Sequence, residues 1–342
     1  MKDIARELQL SITTVSFVVN GKCDSISPAT VKKVRALIKK RGFNPNSAAR
    51  ILRTGQSKTI GLIVEDIGNY FFGNIAKIIE KEAHKNGYNV FFSSTENNDD
   101  NAKDLISKMK NSSVDGLIIT ATRGLKEEIE KFTTENLPFV LIDRLVPGVE
   151  SNYVIVDNYN GAYELTKHLL NNGYKKIGFV SIKDGMTQMF DRKRGFIDAL
   201  TEHNITITPK TLLEVSFSDN EKALETIKKY LQKNPQLDAL FFATNYLGVL
   251  GIEAMQQNKL RIPLDMAVVS FDDNDLFRLF TPAITVAAQP IEEIANKSIE
   301  MLLKIIKKET KKAKLSGEII KPNIIIRNSS PKKKIAAVQE PA

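Results

Sequence analysis

From residue 59 onward, strand-length apolar runs alternate with amphipathic stretches of helical length. The series opens with the apolar run TIGLIVED and the helical stretch IAKIIEKEAHKNG, and continues in this order to the run MAVVSFD. Regular alternation of strand and helix predicts parallel sheets with helices on both faces. The series restarts near residues 157–160, which predicts two Rossmann-like lobes. The last helix, from residue 291, and the last strand, EIIKPNIIIR, need not stay in the second lobe.

The first 58 residues follow a different pattern, that of three short helices joined by tight turns. Ser11 is a good N-cap for the second helix, ITTVSFVVN. Ser27 and Pro28 can open the third helix, ATVKKVRALIKKRG. Such a unit suggests a helix-turn-helix. A connector follows at residues 45–57, where Asn46 could cap one short helix over residues 47–52. It has little apolar surface to bury, so alone it could be disordered.

Charge is distributed very unevenly along the chain. Residues 1–58 contain 12 Lys and Arg but 3 Asp and Glu, so they carry the whole net charge of +9. A lysine-rich solvated surface is one explanation of such a charge. Because the excess is confined to one end, a basic module that attracts phosphate backbones is the favoured interpretation.

Several classes of protein are disfavoured by the sequence. It has no apolar run of membrane-spanning length and no apolar segment of a signal peptide near its start. With Cys23 as the single cysteine, this predicts a cytoplasmic protein. No G-x-G-x-x-G after a strand, P-loop or G-x-S-x-G is present, and the three histidines are scattered, so we expect no enzyme, no cofactor and no metal site.

In order along the chain, many segments resemble the lactose-repressor (LacI/GalR) family of bacterial regulators. The similarity covers residues 2–330, and the motifs that carry it include KDIARELQLS, ITTVSFVVNG, GFNPNSAARIL, TIGLIVEDIGNYFF, VLIDR, VDNYNGAYELTKHLL and VVSFDDN. The resemblance implies an all-α helix-turn-helix domain followed by an α/β sensor, like a periplasmic binding protein, made of two Rossmann-like lobes. The expected parts are residues 1–44 (helix-turn-helix), 45–57 (hinge helix and linker), 58–157 with 290–320 (first lobe), 158–289 with 321–330 (second lobe), and 331–342 (tail).

The resemblance also implies which residues bind DNA. The second helix would lie in the major groove, where Thr13 can hydrogen-bond a base or phosphate and Ile12 can make only apolar contact. Phe17 stands where the family often has arginine; packing in the core is its alternative role. In the hinge, Leu52 would be a wedge between base pairs, or else would pack on the sensor. The full expected DNA-binding set is Ser11, Ile12, Thr13, Thr14, Ser16, Phe17, Asn20, Asn46, Ala49, Arg50 and Leu52.

The turn between the first two helices departs from the family pattern. Gln9 stands where the family usually has glycine. If that position needs a positive φ, the cost is of the order of 1 kcal/mol. The first helix also lacks the threonine that caps it in the family, so we expect a poorly capped first helix or a natural start slightly upstream.

Polar residues follow several predicted strands, at the edge of the sheet where such folds bind ligands. The resemblance implies that they line a cleft for an effector, usually a sugar or a nucleobase. The expected set is Asp66, Asn69, Phe72, Asp143, Arg192, Asn245, Asp272 and Gln289. Taken singly, each of the other Asp and Asn residues is better explained as a helix cap, whereas ligand contact is favoured for Arg192 and Asp272. Glu65 and Tyr246 replace the family's common proline and aspartate.

The sequence thus predicts a DNA-binding regulator that represses a carbohydrate-utilisation operon. It would bind a palindromic operator as a homodimer, respond to a small-molecule effector of the sugar class, and act in the cytoplasm without membrane contact. A periplasmic-type sugar receptor without DNA binding is the alternative, and an enzyme on a Rossmann-like scaffold is a third. The basic N-terminal module and the absent nucleotide-binding loops argue against both.

Overall fold

The computed structural model describes residues 1–19, 21–42, 55–183, 186–216, 219–307 and 315–333. The chain divides into two compact units, Met1–Thr59 and Ile60–Ala342. Across these described ranges, no helix combines the length and the apolarity that a membrane crossing requires.

The first unit contains three helices around a small apolar core. They are α1 (Lys2–Glu7), α2 (Ile12–Val19) and α3 (Pro28–Lys40). Ser11 Oγ accepts a hydrogen bond from Thr14 N at 2.9 Å. Ser27 caps α3 by accepting one from Thr30 N at 3.2 Å, as its position before Pro28 predicts. The fully buried members of the core are Ile4, Ala5, Val15, Val18, Val34 and Leu37.

The second unit is built from alternating strands and helices. Its helices are α4 (Tyr70–Lys85), α5 (Asp99–Asn111), α6 (Lys126–Thr134), α7 (Asn158–Asn171), α8 (Thr187–Glu202), α9 (Asn220–Lys233), α10 (Asn245–Gln257), α11 (Asp275–Leu279) and α12 (Ile291–Ile306). Its strands are β1 (Thr59–Val64), β2 (Asn89–Ser94), β3 (Gly116–Ile119), β4 (Phe139–Ile142), β5 (Tyr153–Val156), β6 (Ile177–Ile182), β7 (Leu212–Val215), β8 (Ala239–Phe242), β9 (Ala267–Phe271), β10 (Thr285–Ala288), β11 (Gly317–Ile320) and β12 (Asn323–Ile325).

These strands form two six-stranded sheets, one in each lobe. The first has the order β11-β5-β4-β3-β1-β2 and the second β12-β10-β9-β8-β6-β7. In the first sheet, the adjacent strands β11, β5, β4, β3 and β1 run parallel to one another. In the second sheet, the adjacent strands β10, β9, β8, β6 and β7 do so. The central strands β1, β3, β4, β8 and β9 are buried along their whole length, which explains their unbroken apolar sequences.

Two strands were not expected from the sequence, and one expected strand is divided. β5 and β10 are four-residue strands that extend each sheet by one position. The run EIIKPNIIIR forms β11, which pairs with β5 in the first lobe, and β12, which pairs antiparallel with β10 in the second. Pro322 separates them, and proline has no N–H to continue a ladder.

The chain passes between the lobes three times, after β5, after β10 and between β11 and β12. Helix α12 therefore packs against α4 in the first lobe, although it follows the second lobe in sequence. In the second lobe, α7 and α8 approach closely at Gly195, where an added Cβ would lie 2.2 Å from Tyr159 O.

Candidate functional site

Helix α2 buries one face and exposes the other. Val15 and Val18 are buried, whereas Ser11, Ile12, Thr13 and Phe17 are exposed, and Thr14 and Ser16 are half-buried. Ile12 is 49% exposed and Phe17 is 40% exposed, so neither belongs to the apolar core of this unit. The alternative reading of Phe17 as a core residue is therefore wrong. Two large apolar side chains that are exposed on an eight-residue helix suit contact with another molecule.

Gln9, in the turn before α2, has a φ of +54°. The backbone therefore adopts the left-handed conformation at the position where the family commonly has glycine, and Gln9 bears the strain that was expected in that case. Helix α1 has no side-chain cap at Met1.

Five residues of the expected DNA-binding set lie outside the described residues. They are Asn20, Asn46, Ala49, Arg50 and Leu52. Their roles in DNA binding stay predictions.

In the second unit, the structure gathers polar residues at the carboxyl ends of the strands. A small cavity of about 30 Å³, the inner chamber, is bordered by side chains of both lobes. Seven of the eight expected effector residues line it, namely Asn69, Phe72, Asp143, Arg192, Asn245, Asp272 and Gln289. Glu65, Phe71, Gln188, Met189, Thr244 and Tyr246 complete the lining.

Two carboxylates occupy matching places in the inner chamber, one from each lobe. Asp143 follows β4 with a φ of +68°, and Asp272 follows β9 with a φ of +67°. Both residues are buried. Left-handed backbone at non-glycine residues is uncommon and clusters at functional sites. The two lobes thus present equivalent carboxylates towards the same cavity.

Arg192 is buried in α8 and is held by several partners of its own lobe. Its Nε donates to Asn158 Oδ1 at 2.8 Å and its Nη1 to Ala243 O at 2.6 Å. The guanidinium lies 3.7 Å from the centre of the Phe271 ring, and Nη1 is 3.5 Å from Asp272 Oδ2. Gln289 Nε2 in turn donates to Asp272 Oδ1 at 2.7 Å. Both residues for which ligand contact was favoured are therefore engaged with other protein groups.

Arg144, for which the sequence predicted no role, is a second buried cation at the cleft. Its side chain is 1% exposed, and it pairs with Glu65 and Asp143 and donates to Asn97 Oδ1 at 2.9 Å. Burial raises the pKa of Asp143 to about 6, although Arg144 and Arg192 act in the opposite direction. An arginine placed directly after the last buried residues of a strand was the signal that could have revealed it.

A larger cavity of about 580 Å³, the outer chamber, lies next to the inner one. Glu65, Asn69, Asn245 and Tyr246 line both, so these four residues separate the two chambers. Asp66, the remaining expected effector residue, lines the outer chamber only. The rest of its lining consists of Tyr70, Asn220, Val249, Leu250, Asn274, Asp275 and Leu276.

Within the described residues, no group of three or more His, Cys, Asp or Glu side chains could hold a metal ion. His168 is half-buried and its Nε2 lies 2.9 Å from Ser330 Oγ. Burial lowers its pKa. It therefore packs as a partly buried structural residue.

Family models match almost the whole chain. Residues 1–46 match "Bacterial regulatory proteins, lacI family", and residues 57–323 match "Periplasmic binding proteins and sugar binding domain of LacI family".

Curated relatives match over nearly their full length. The regulator RegA of Clostridium saccharobutylicum is 32% identical over 95% of this chain and 96% of its own. The repressor PurR of Aliivibrio salmonicida is 31% identical over 90% and 92%, and catabolite control protein A of Priestia megaterium is 29% identical over 90% and 92%.

Solved structures show the same fold. The lac repressor dimer bound to operator and the anti-inducer ONPF aligns with a TM-score of 0.84 at 21% identity, covering 96% of this chain and 98% of that one. The CelR–cellobiose complex aligns with a TM-score of 0.73 at 22% identity, covering 95% and 98%. These likenesses support a helix-turn-helix unit followed by a two-lobed unit of the periplasmic-binding type.

Proposed function

The chain belongs to the LacI family of bacterial regulatory proteins, and on this premise we propose that it represses a carbohydrate-utilisation operon. It binds a near-palindromic operator as a homodimer and is controlled by a small-molecule effector in the cleft between its lobes. Its relatives are transcriptional regulators, so we assign it no catalytic activity. A protein that acts on chromosomal DNA works in the cytoplasm.

The exposed face of α2 is the observation that carries this proposal. Thr13 offers a hydroxyl to a base edge or a phosphate, while Ile12 and Phe17 offer apolar surface to thymine methyl groups. The basic residues of the same unit supply attraction to the phosphate backbone, because they release counterions on binding. Phenylalanine cannot make the paired hydrogen bonds by which arginine recognises guanine. The preferred operator should therefore differ from the commonest operator of the family at the base that Phe17 contacts.

In the proposed complex, the hinge adds contacts in the minor groove. Leu52 would insert between two central base pairs, and Arg50 would hold a phosphate. Unstacking one base step costs about a few kcal/mol, offset by contacts that the bent DNA permits. We expect Leu52→Ala to weaken operator binding strongly and binding to unrelated DNA little. Equal losses on both DNAs would argue against the wedge.

Control by an effector follows from differential binding to two arrangements of the lobes. The chambers are lined by residues of both lobes, so a molecule bound there contacts both at once. A ligand that prefers one angle between the lobes shifts the population towards it, and through the hinge changes the affinity for DNA.

The function is tested by selecting DNA that binds the full chain from a pool of random sequences. The affinity of the protein for the selected DNA is then measured by fluorescence anisotropy. We expect an enriched palindrome, binding that weakens steeply with salt, and a loss for Thr13→Ala of about 0.5–1.5 kcal/mol, the worth of one hydrogen bond. Thr226→Ala, on the exposed face of α9, makes the same chemical change outside the DNA-binding unit and should bind like the parent. Recovery of no common sequence would overturn the proposal.

A further inference from the structure

The outer surface of α7 and α8 in the second lobe carries a group of aromatic side chains that the proposed function does not use. Tyr159 and Tyr163 lie on α7, and Phe190 and Arg194 lie on α8. We propose that these four residues, the aromatic face, form a second contact between copies of this chain and join one homodimer to another. The inference rests on the homodimer of the proposed function.

The side chains of the aromatic face contact one another in a continuous series. The rings of Tyr159 and Tyr163 stack with their centres 6.1 Å apart. The guanidinium of Arg194 lies 4.7 Å from the centre of the Tyr159 ring and 6.0 Å from the centre of the Phe190 ring. Phe190 is 63% exposed, although phenylalanine is usually buried. Tyrosine and arginine are enriched among the residues that dominate the binding energy of protein interfaces.

The aromatic face is held in place by the two helices beneath it. The Tyr159 hydroxyl donates to Asp198 Oδ2 at 3.0 Å, and the Tyr163 hydroxyl donates to Glu202. Both hydrogen bonds join residues 39 positions apart, so α7 and α8 run side by side in the same direction. The helices approach most closely at Gly195. Side chains that are already fixed lose little conformational entropy on binding, so the face is prepared for a partner.

Charges of both signs lie along the aromatic face, which suits contact with a second copy of the chain. Near the start of α8, Asp191 Oδ1 lies 3.4 Å from Arg194 Nη2. Near the end of α7, Lys167 Nζ lies 5.6 Å from the centre of the Tyr163 ring. In a two-fold interface the face meets itself in reverse order, which brings basic and acidic side chains of the two copies together. A face of one sign would instead repel its own copy.

Helices α7 and α8 lie on the opposite side of the second sheet from α10. The two sides are distinguished by neighbouring residues of β8, because successive side chains of a strand point in opposite directions. Phe241 packs against Phe196 of α8, with ring centres 6.2 Å apart. Phe242 packs against α10 at Gly251. A partner on α10 and a partner on the aromatic face therefore approach the lobe from opposite sides and can bind at the same time.

The chemistry of the two surfaces suits two different contacts. On the α10 side, the highly exposed Leu276 and Leu279 border an apolar groove of about 610 Å³. Permanent dimers bury the more apolar interfaces, and mixed polar and aromatic interfaces are typical of reversible association. The α10 side therefore suits the homodimer, and the aromatic face suits a weaker contact between homodimers. A pair of homodimers joined in this way can hold two operators on one DNA molecule.

Sedimentation velocity of the full chain across the micromolar range tests the contact. We expect dimers at low concentration and tetramers at high concentration. Phe190→Ser and Arg194→Glu should each weaken the association of dimers by about tenfold or more, because each residue occurs twice in a two-fold interface. Both side chains are exposed, so the variants should fold like the parent, and far-ultraviolet circular dichroism checks that they do.

Two control variants change similar residues of the second lobe outside the aromatic face. Leu264→Ser removes an exposed apolar side chain, and Arg261→Glu reverses an exposed arginine that, like Arg194, pairs with a nearby aspartate. Both should form tetramers like the parent. A parent chain that stays dimeric throughout the range would overturn the inference and leave the face to a partner other than a second copy. Tetramers that survive Phe190→Ser, or a monomeric Phe190→Ser protein, would overturn it as well.

Operator binding by the same preparations separates this inference from the proposed function. The Phe190→Ser protein should bind a single palindrome as tightly as the parent does, but should no longer hold together two palindromes on one DNA fragment, as measured by tethered-particle motion. A protein that binds its palindrome without forming tetramers refutes the second contact alone. Failure to select any preferred DNA refutes the proposed function, whereas tetramers that Phe190→Ser dissociates would still support the contact.

Discussion

Replacing Asp143 by asparagine should change how the stability of the two-lobed unit depends on pH. Asp143 is buried in the inner chamber, and burial raises its pKa from 3.8 to about 6. The folded state therefore holds this proton more tightly than the unfolded state does. Stability from this group is fully present below about pH 4 and is lost as the pH rises through about 6. Asparagine does not ionise, so the variant does not lose stability in this way as the pH rises.

The size of the effect follows from the two pKa values. A tenfold change in proton affinity is worth about 1.4 kcal/mol, so the change from 3.8 to about 6 corresponds to about 3 kcal/mol. The free energy of unfolding of Asp143→Asn minus that of the parent should therefore rise by about 2.4 kcal/mol between pH 4 and pH 7, which is most of that limit. Arg144 keeps its pairing with Glu65 in the variant, so one charge partner remains.

Urea unfolding followed by tyrosine fluorescence provides the measurement. The chain has no tryptophan, and its eight tyrosines all lie between Tyr70 and Tyr246. The signal therefore reports on the two-lobed unit and not on α1–α3. The difference in the free energy of unfolding between variant and parent cancels the contributions of the many other carboxylates that titrate in this pH range. Asp104→Asn, on an exposed surface, is the control variant.

A difference curve for Asp143→Asn that stays flat from pH 4 to pH 7, or that matches the Asp104→Asn curve, would refute this reasoning. Either result would mean that the folded protein solvates the Asp143 carboxylate as well as water does. The attraction of Arg144 and Arg192 for the carboxylate would then balance the cost of burial.

Three further substitutions test the local structure. Gln9→Gly should stabilise α1 and α2 by up to about 1 kcal/mol, since relief of left-handed strain exceeds the added entropy of the unfolded chain. Hydrogen exchange of the backbone amides in α1 and α2 should become slower. The control is Lys22→Gly, at a residue whose φ is not positive, which should make the exchange faster. Ser27→Ala should cost α3 about 1 kcal/mol by removing its cap, and exchange in its first turn should accelerate if the cap matters. Gly195→Ala should lower the urea midpoint of the two-lobed unit by the equivalent of about 1–3 kcal/mol, because the new methyl would collide with Tyr159 O; an unchanged midpoint would mean that the two helices separate freely.

The alternation of apolar runs and amphipathic stretches predicted most of the second unit, because strands buried on both faces have unmistakable sequences. The strands β5 and β10 were not predicted, because four residues are too few to establish a period. The first turns of α7 and α8 were not predicted either. Their polar residues, such as Asn158 and Gln188, are buried at the cleft and interrupt the apolar pattern of the helix.

Positions near the cleft could be predicted from the sequence, but the pairing of the side chains could not. Polar residues after strands indicated where the chambers lie, since carboxyl ends of parallel strands meet at one edge. Nothing in the order of residues showed that Arg192 would contact Asp272, or that Glu65 and Tyr246 would line the same two chambers. Such contacts depend on how two lobes close on each other, which is a property of distant segments.

The three passages of the chain between the lobes have a consequence for the order in which the protein is made. Helices α1–α3 use only the first 40 residues, so their whole sequence leaves the ribosome early. The first lobe, by contrast, lacks α12 and β11 until residue 320 has been synthesised, and the edge of β5 stays unpaired until then. Contacts between such distant segments form late and slowly.

A nascent or prematurely terminated chain would therefore possess the DNA-reading helices without a finished sensor. Stop codons between α3 and β12 should act alike, because each leaves the three helices complete and at least one sheet without its last strand. A cell that degrades such fragments promptly would avoid a DNA-binding fragment that no effector can control.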